Sequence, residues 1–211
     1  MTQTPSASPS SDIAFTPAVK AAQEQRSDRP VHTRIAAAGG FRTGVTADLV
    51  AFLGTVDTAF LATASADGQP YVQHRGGPPG FIRAVDGSTL GIADYSGNRQ
   101  YVTIGNLSEN ARAFLFLIDY AARRRVKIWG TAQVVEGDPD LVARLMPEGY
   151  GARPERALLF HVSAWDVNCP QHIPQKLDAA LVRQALETRE IRISELEAEV
   201  KLLRAQLAVH R

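Results

Sequence analysis

Cysteine is almost missing from this chain of 211 residues, which has Cys169 alone. That excludes an internal disulfide framework and a zinc module built from several thiolates. Lysine is scarce too: of 23 cationic side chains only Lys20, Lys127, Lys176 and Lys201 are lysine, and the rest are arginine. Set against 22 acidic residues, they leave a net charge of +1, which argues against a dedicated nucleic-acid binder. There is no run of about eighteen apolar residues, and the first thirty residues lack the apolar stretch of a secretion signal, so a soluble cytoplasmic protein is expected. The standard nucleotide loops are absent: no G-x-G-x-x-G opens a helix after a strand, and no G-x-x-x-x-G-K-S/T occurs. A G-x-S-x-G nucleophile elbow is lacking as well. Cys169 and His172 have C-x-x-H spacing, but two ligands are too few for a structural zinc, and a turn beside Pro170 and Pro174 accounts for them.

What is present is enough apolar residue, 45%, to build a core in a chain of this size. The stretch from Met1 to Asp12 is small and polar and cannot bury enough surface to fold. Thr16-Pro17 then supplies an N-cap and a first-turn proline, predicting a short helix to about Arg26. A linker with Pro30, Gly39 and Gly40 follows. Thr46 caps another short helix to about Gly54, and from there the pattern is one of strands. Thr58–Ser65 and Pro70–Arg75 flank Asp67-Gly68, while Phe81–Val85 and Thr89–Ala93 flank Asp86-Gly87; both are hairpin signals. Asn98–Asn110 reads as a helix, Ala111–Ile118 as a strand, and Arg124–Glu136 as a long strand bent at Gly130. Asp138-Pro139 starts a helix to Met146, and Ala157–Ala164 is the last clear strand. Short hairpins with small helices between them predict a mainly β fold, an antiparallel barrel with peripheral helices.

The C-terminal segment has a different period. Val182, Leu186, Arg189, Ile193, Leu196, Val200, Leu203 and Leu207 fall at alternating steps of three and four, an a/d heptad pattern with one polar interruption. It fits a coiled coil and equally an amphipathic helix packed on its own barrel. The expected organisation is an extension over 1–45, a barrel domain over 46–175 and a heptad helix over 176–211.

Three polar clusters lie at strand ends. In Gln73-His74-Arg75-Gly76-Gly77 a strand delivers cations into a glycine-rich turn, where backbone N–H groups can approach an anion. In Asp94-Tyr95-Ser96-Gly97-Asn98-Arg99-Gln100 a turn leads into a helix start, which favours phosphate. Arg123-Arg124-Arg125 opens the long strand. Together they make a candidate phosphate pocket, although an arginine at a strand end is commonly just solvated.

The order DGQP, QHRGGPPGFIR, DYSGNRQYVTIGNLSENARAFLFLI and RRVKIWGTAQVV resembles the pyridoxamine 5′-phosphate oxidase-like, FMN-binding split-barrel family over about Thr46 to Ile173. The block from Gly97 to Arg112 is its most specific element. The resemblance implies a six-stranded antiparallel split barrel and a homodimer with FMN at its interface. It also implies that Asn98, Arg99 and Gln100 clamp the phosphate. Gln73, His74, Arg75 and Gly76 would line the strand that reaches the phosphate and passes the flavin ring, and Arg125 would approach the ring from the other subunit. The vitamin B6 oxidases of the family have R-x-x-x-L-K where this chain has QHRGGPPG, and they end in a tryptophan-rich segment with R-L-H that this chain lacks. Vitamin B6 oxidation is therefore not expected.

The leading expectation is an FMN-dependent oxidoreductase acting on a small molecule, with a nicotinamide nucleotide as candidate electron donor. The alternative is a non-catalytic carrier or sensor of flavin, deazaflavin or haem. A third reading makes the barrel a scaffold and the heptad helix the recruiting element.

Overall fold

The computed structural model describes residues 8–168 and 170–209 of the chain. Cys169, and with it the C-x-x-H spacing, lies outside the described residues, as does most of the polar N-terminal stretch. The chain divides into two compact units: one made of the residues up to Asp119 and Arg124–Gln171, the other of Tyr120–Arg123 and the residues from His172 onward.

The larger unit is one antiparallel sheet. Its strands are β1 (Thr58–Ala64), β2 (Pro70–Gly76), β3 (Ile82–Ala84), β4 (Thr89–Tyr95), β5 (Arg112–Asp119), β6 (Arg124–Val135) and β7 (Pro154–Asn168). They are ordered β2-β1-β5-β6-β7-β4-β3, with β2 and β3 at the edges. Seven strands are described, one for each strand segment read from the sequence where the resemblance implied six; the hairpin at Asp86-Gly87 supplies β3, a three-residue edge strand paired to β4. The sheet curls into a half-barrel that buries one face around a common core: β1 and β5 alternate buried and less buried residues, while β6 and β7 do so with breaks, β7 burying the adjacent pairs Ala157-Leu158 and Ala164-Trp165. Leu61, Leu115, Leu117, Ile128, Phe160 and Trp165 are among its fully buried side chains. Alternation is what a sheet with one buried face favours.

Among the described residues this unit carries a 3-10 turn at Ser10–Ile13 and the short α-helices α1 (Pro17–Gln25), α2 (Arg29–Ala37), α3 (Ala47–Leu53), α4 (Val102–Glu109) and α5 (Pro139–Leu145). Thr16, Thr46 and Asp138 accept hydrogen bonds at the starts of α1, α3 and α5 from the backbone N–H groups of Val19, Leu49 and Leu141, as their types and positions predict. Helix α2 occupies the stretch read as a linker. Pro30 sits in its first turn, where a missing N–H costs nothing, and His32 meets the ring of Phe15 edge-on at 5.1 Å. The extension is tied to the sheet. Arg42 bridges to Trp165 through backbone hydrogen bonds of 3.1 and 2.8 Å, and the Trp165 indole N–H donates to the Gly44 carbonyl at 3.1 Å.

The smaller unit is mainly α6 (Ala179–Val209), 31 residues long. Among the described residues no helix is long and apolar enough to cross a membrane.

Candidate functional site

Strand alternation sorts the Gln73–Gly76 cluster onto two faces. Pairing of β2 with β1 sets Arg75 opposite Ala59 and Gln73 opposite Leu61, on the inner face, while His74 lies opposite Phe60 on the outer face. On the inner side, Tyr71, Gln73 and Arg75 line a cavity of about 230 Å³ together with Gly97 to Ile104, Asp94, Tyr95, Glu155 and Arg156. Two of the three polar clusters thus meet in one place, from β2 and from the turn between β4 and α4.

That turn is unusual. Arg99 and Tyr101 both adopt left-handed backbone, with φ of 60° and 55°, a region costly for residues with a side chain. The Asn98 side chain holds it, accepting from the Gln100 backbone N–H and donating to the Gln100 side chain, both at 3.2 Å. The helix expected from Asn98 consequently starts only at Val102. Thr103, 3% exposed, donates its hydroxyl proton to the Gln73 side chain at 2.6 Å and so ties the helix to β2.

The electrostatics centre on Asp94, which is buried. It binds Arg75 through one carboxylate oxygen and Arg156 through the other, the latter at 3.3 Å. Arg156 also pairs with Glu155 at 2.9 Å and with Glu136 at 3.1 Å, and its guanidinium lies 5.6 Å from the centre of the Tyr101 ring. Burial disfavours the Arg156 charge, but Asp94, Glu155 and Glu136 outweigh it and raise its pKa. Asp94 serves Arg75 and Arg156, and Glu155 and Glu136 serve Arg156 as well, so Arg99 is the lining cation with no acidic partner among the described residues. Arg75 also keeps its Nε–H buried without a partner. The arrangement is a cationic recess fitted to a small anionic group.

The remaining expected residues stand elsewhere. His74 is exposed and meets Phe60 edge-on at 5.8 Å. Gly76 ends β2, where an added Cβ would crowd the His74 ring at 2.9 Å. Arg125, on β6, donates to the Gln171 carbonyl at 3.5 Å, and Arg124 lies over the Phe52 ring at 4.9 Å; neither is among the residues that line the cavity. The outer face near His74 carries Phe60, Phe114, Phe116 and Trp129, all part-exposed.

Sequence reasoning passed over Arg156 and the part played by Asp94. Asp94 stood inside the motif but has no signal of its own there. Arg156 reaches the site because β7 pairs with β4 and sets it opposite Asp94, a long-range pairing invisible in the local sequence. Among the described residues there is no group of three His, Cys, Asp or Glu side chains able to hold a metal ion.

Residues 45–169 match the family model of pyridoxamine 5′-phosphate oxidase. No curated protein matches the chain. Among solved structures, HupZ of Group A Streptococcus is 18% identical, with 63% of this chain and 99% of that chain covered and a TM-score of 0.47. An FMN-binding protein from Syntrophomonas wolfei is 12% identical over 72% of this chain and 95% of that one, with a TM-score of 0.41. The FAD binding protein from Mycobacterium smegmatis is 14% identical over 60% and 97%, with a TM-score of 0.40.

Proposed function

The chain belongs to the pyridoxamine 5′-phosphate oxidase family, and from that premise we propose that it is an FMN-dependent oxidoreductase acting on a small molecule. The observation that carries the reading is the cationic recess, in which the turn of Asn98, Arg99 and Gln100 faces Gln73 and Arg75 across one cavity. A phosphate suits this donor set. Arg75 has a buried Nε–H still to satisfy, and Arg99 stands in the lining with no acidic partner among the described residues. The cavity, at about 230 Å³, falls below the roughly 300–1,000 Å³ of sites that enclose a whole ligand. It suits the phosphate end of FMN, and the ring would need further surface.

A homodimer would supply that surface. The outer face with His74, Phe60 and Phe116 leaves aromatic groups part-exposed, and Arg125 lies on a strand of the same sheet. In this reading Arg99 and Arg75 neutralise the phosphate, Asn98 and Gln100 fix the turn that presents Arg99, and Asp94 keeps Arg75 extended. FMN, when bound, supplies hydride and electron transfer. The electron donor proposed is a nicotinamide nucleotide, and vitamin B6 is not the proposed substrate.

Purified protein should be yellow or take up FMN with the absorbance of a bound flavin. Arg99→Ala should weaken FMN binding roughly ten- to a hundredfold, the worth of one hydrogen bond to a charged group. Colourless protein that takes up no FMN on titration would overturn the reading. Oxidation of NADH or NADPH by the FMN-loaded protein separates an enzyme from a flavin carrier.

A further inference from the structure

Helix α6 carries the chain's most regular pattern, and the flavin reading makes no use of it. Leu186, Ile193, Val200 and Leu207 fall at heptad position a, and Val182, Arg189, Leu196 and Leu203 at position d. The seven apolar members of this seam are 39–69% exposed. A groove along it is formed by Ile193, Leu196 and Val200, edged by Glu197, Lys201 and Arg204.

The geometry points to one occupant: α6 of a second copy of this chain, in a parallel, in-register two-stranded coiled coil. Two independent features of the helix select that partner. The central layers place β-branched Ile193 and Val200 at a and leucines 196 and 203 at d, the combination that favours two parallel strands. The flanking charges also complement themselves. In a parallel pair each g residue faces the e residue five positions on in the other chain. Arg192 at g would then meet Glu197 of the second copy, and Glu199 at g would meet Arg204. Arg192 bonds Glu195 of its own helix at 2.9 Å, but both side chains are more than half exposed, and such a surface pair holds Arg192 only weakly. Arg189 is the single charged residue in the seam, of the kind that sets register at a cost in stability. This inference is independent of the flavin reading, since it uses no residue of the recess.

Disulfide trapping in the full-length protein tests it. In a Cys169→Ser background, Leu203→Cys should form a disulfide-linked dimer under mild oxidation, because in-register d positions bring like residues together. Leu202→Cys, at exposed position c, should stay monomeric. Adding Glu199→Arg to the Leu203→Cys chain should abolish the crosslink, and adding Arg204→Glu as well should restore it. A Leu203→Cys chain that remains monomeric overturns the proposal, whether the helix packs on its own barrel, runs antiparallel or holds another protein. Equal crosslinking at 202 and 203, or no rescue by the charge swap, overturns it too.

Discussion

Asp94 holds two guanidinium groups that would otherwise repel each other at the edge of the recess. Asp94→Asn keeps the shape and removes the charge, leaving Arg75 and Arg156, 14% and 12% exposed, without their shared counter-ion. We expect a loss of roughly 2–4 kcal/mol of stability, read in urea unfolding. Inorganic phosphate should raise the melting temperature of this variant more than that of the parent, because an anion in the recess replaces the missing carboxylate. Tyr95 makes the opposite case. Its hydroxyl is buried without a partner, and desolvation first, then the neighbouring Tyr150, raises its pKa above the ordinary 10.0. A raised pKa in the folded state means that stability is complete below the unfolded value and falls as pH rises through the folded one. Tyr95→Phe should therefore flatten the alkaline decline in a series of unfolding curves, with little cost at neutral pH.

The elements owe their ends and bends to single residues. Gly130 sits where the register between β6 and β7 shifts after Trp129, and a Cβ there would run into the His161 carbonyl and the Phe160 ring. Gly130→Ala should cost about 3 kcal/mol or more, because backbone cannot yield as a flexible side chain does; thermal unfolding checks it. The bend at Gly130 could be read from the sequence, since a lone glycine in an apolar strand marks a bulge or a close approach. The late start of α4 could not. Nothing in the types of Arg99 and Tyr101 announces left-handed backbone, which local hydrogen bonding by Asn98 and the packing of β2 against the turn impose together. The capped starts of α1, α3 and α5 were legible for the converse reason: a cap is satisfied by neighbours within three residues.

Across the whole molecule, one face of the sheet is sealed around the core and the other is left with part-exposed Phe60, Phe114, Phe116 and Trp129. If a second subunit covers this face, as the proposed FMN site requires, Phe116→Glu should reduce flavin retention in gel filtration while the helix crosslink at position 203 persists. Loss of both together would mean that the variant had misfolded rather than lost one contact, and circular dichroism distinguishes the two.

The sequence by itself determined the hairpins, the capped helices, the alternation that makes one face of the sheet apolar, and the heptad period of α6. All of these rest on interactions between residues close in the chain or on periods that need no partner to be seen. It also carried the family, through a block from Gly97 to Arg112 whose residues are contiguous. Only the tertiary structure decided the strand order β2-β1-β5-β6-β7-β4-β3, that α2 folds where a linker was expected, and that Gln73 and Arg75 share a cavity with Arg99 while His74 and Arg125 lie outside it. It alone brought Arg156 to Asp94. Those outcomes depend on which strand pairs with which across up to 72 residues of chain, the separation of Thr89 from His161 in the β4–β7 pairing, and that choice is made by burying a common core rather than by any local preference.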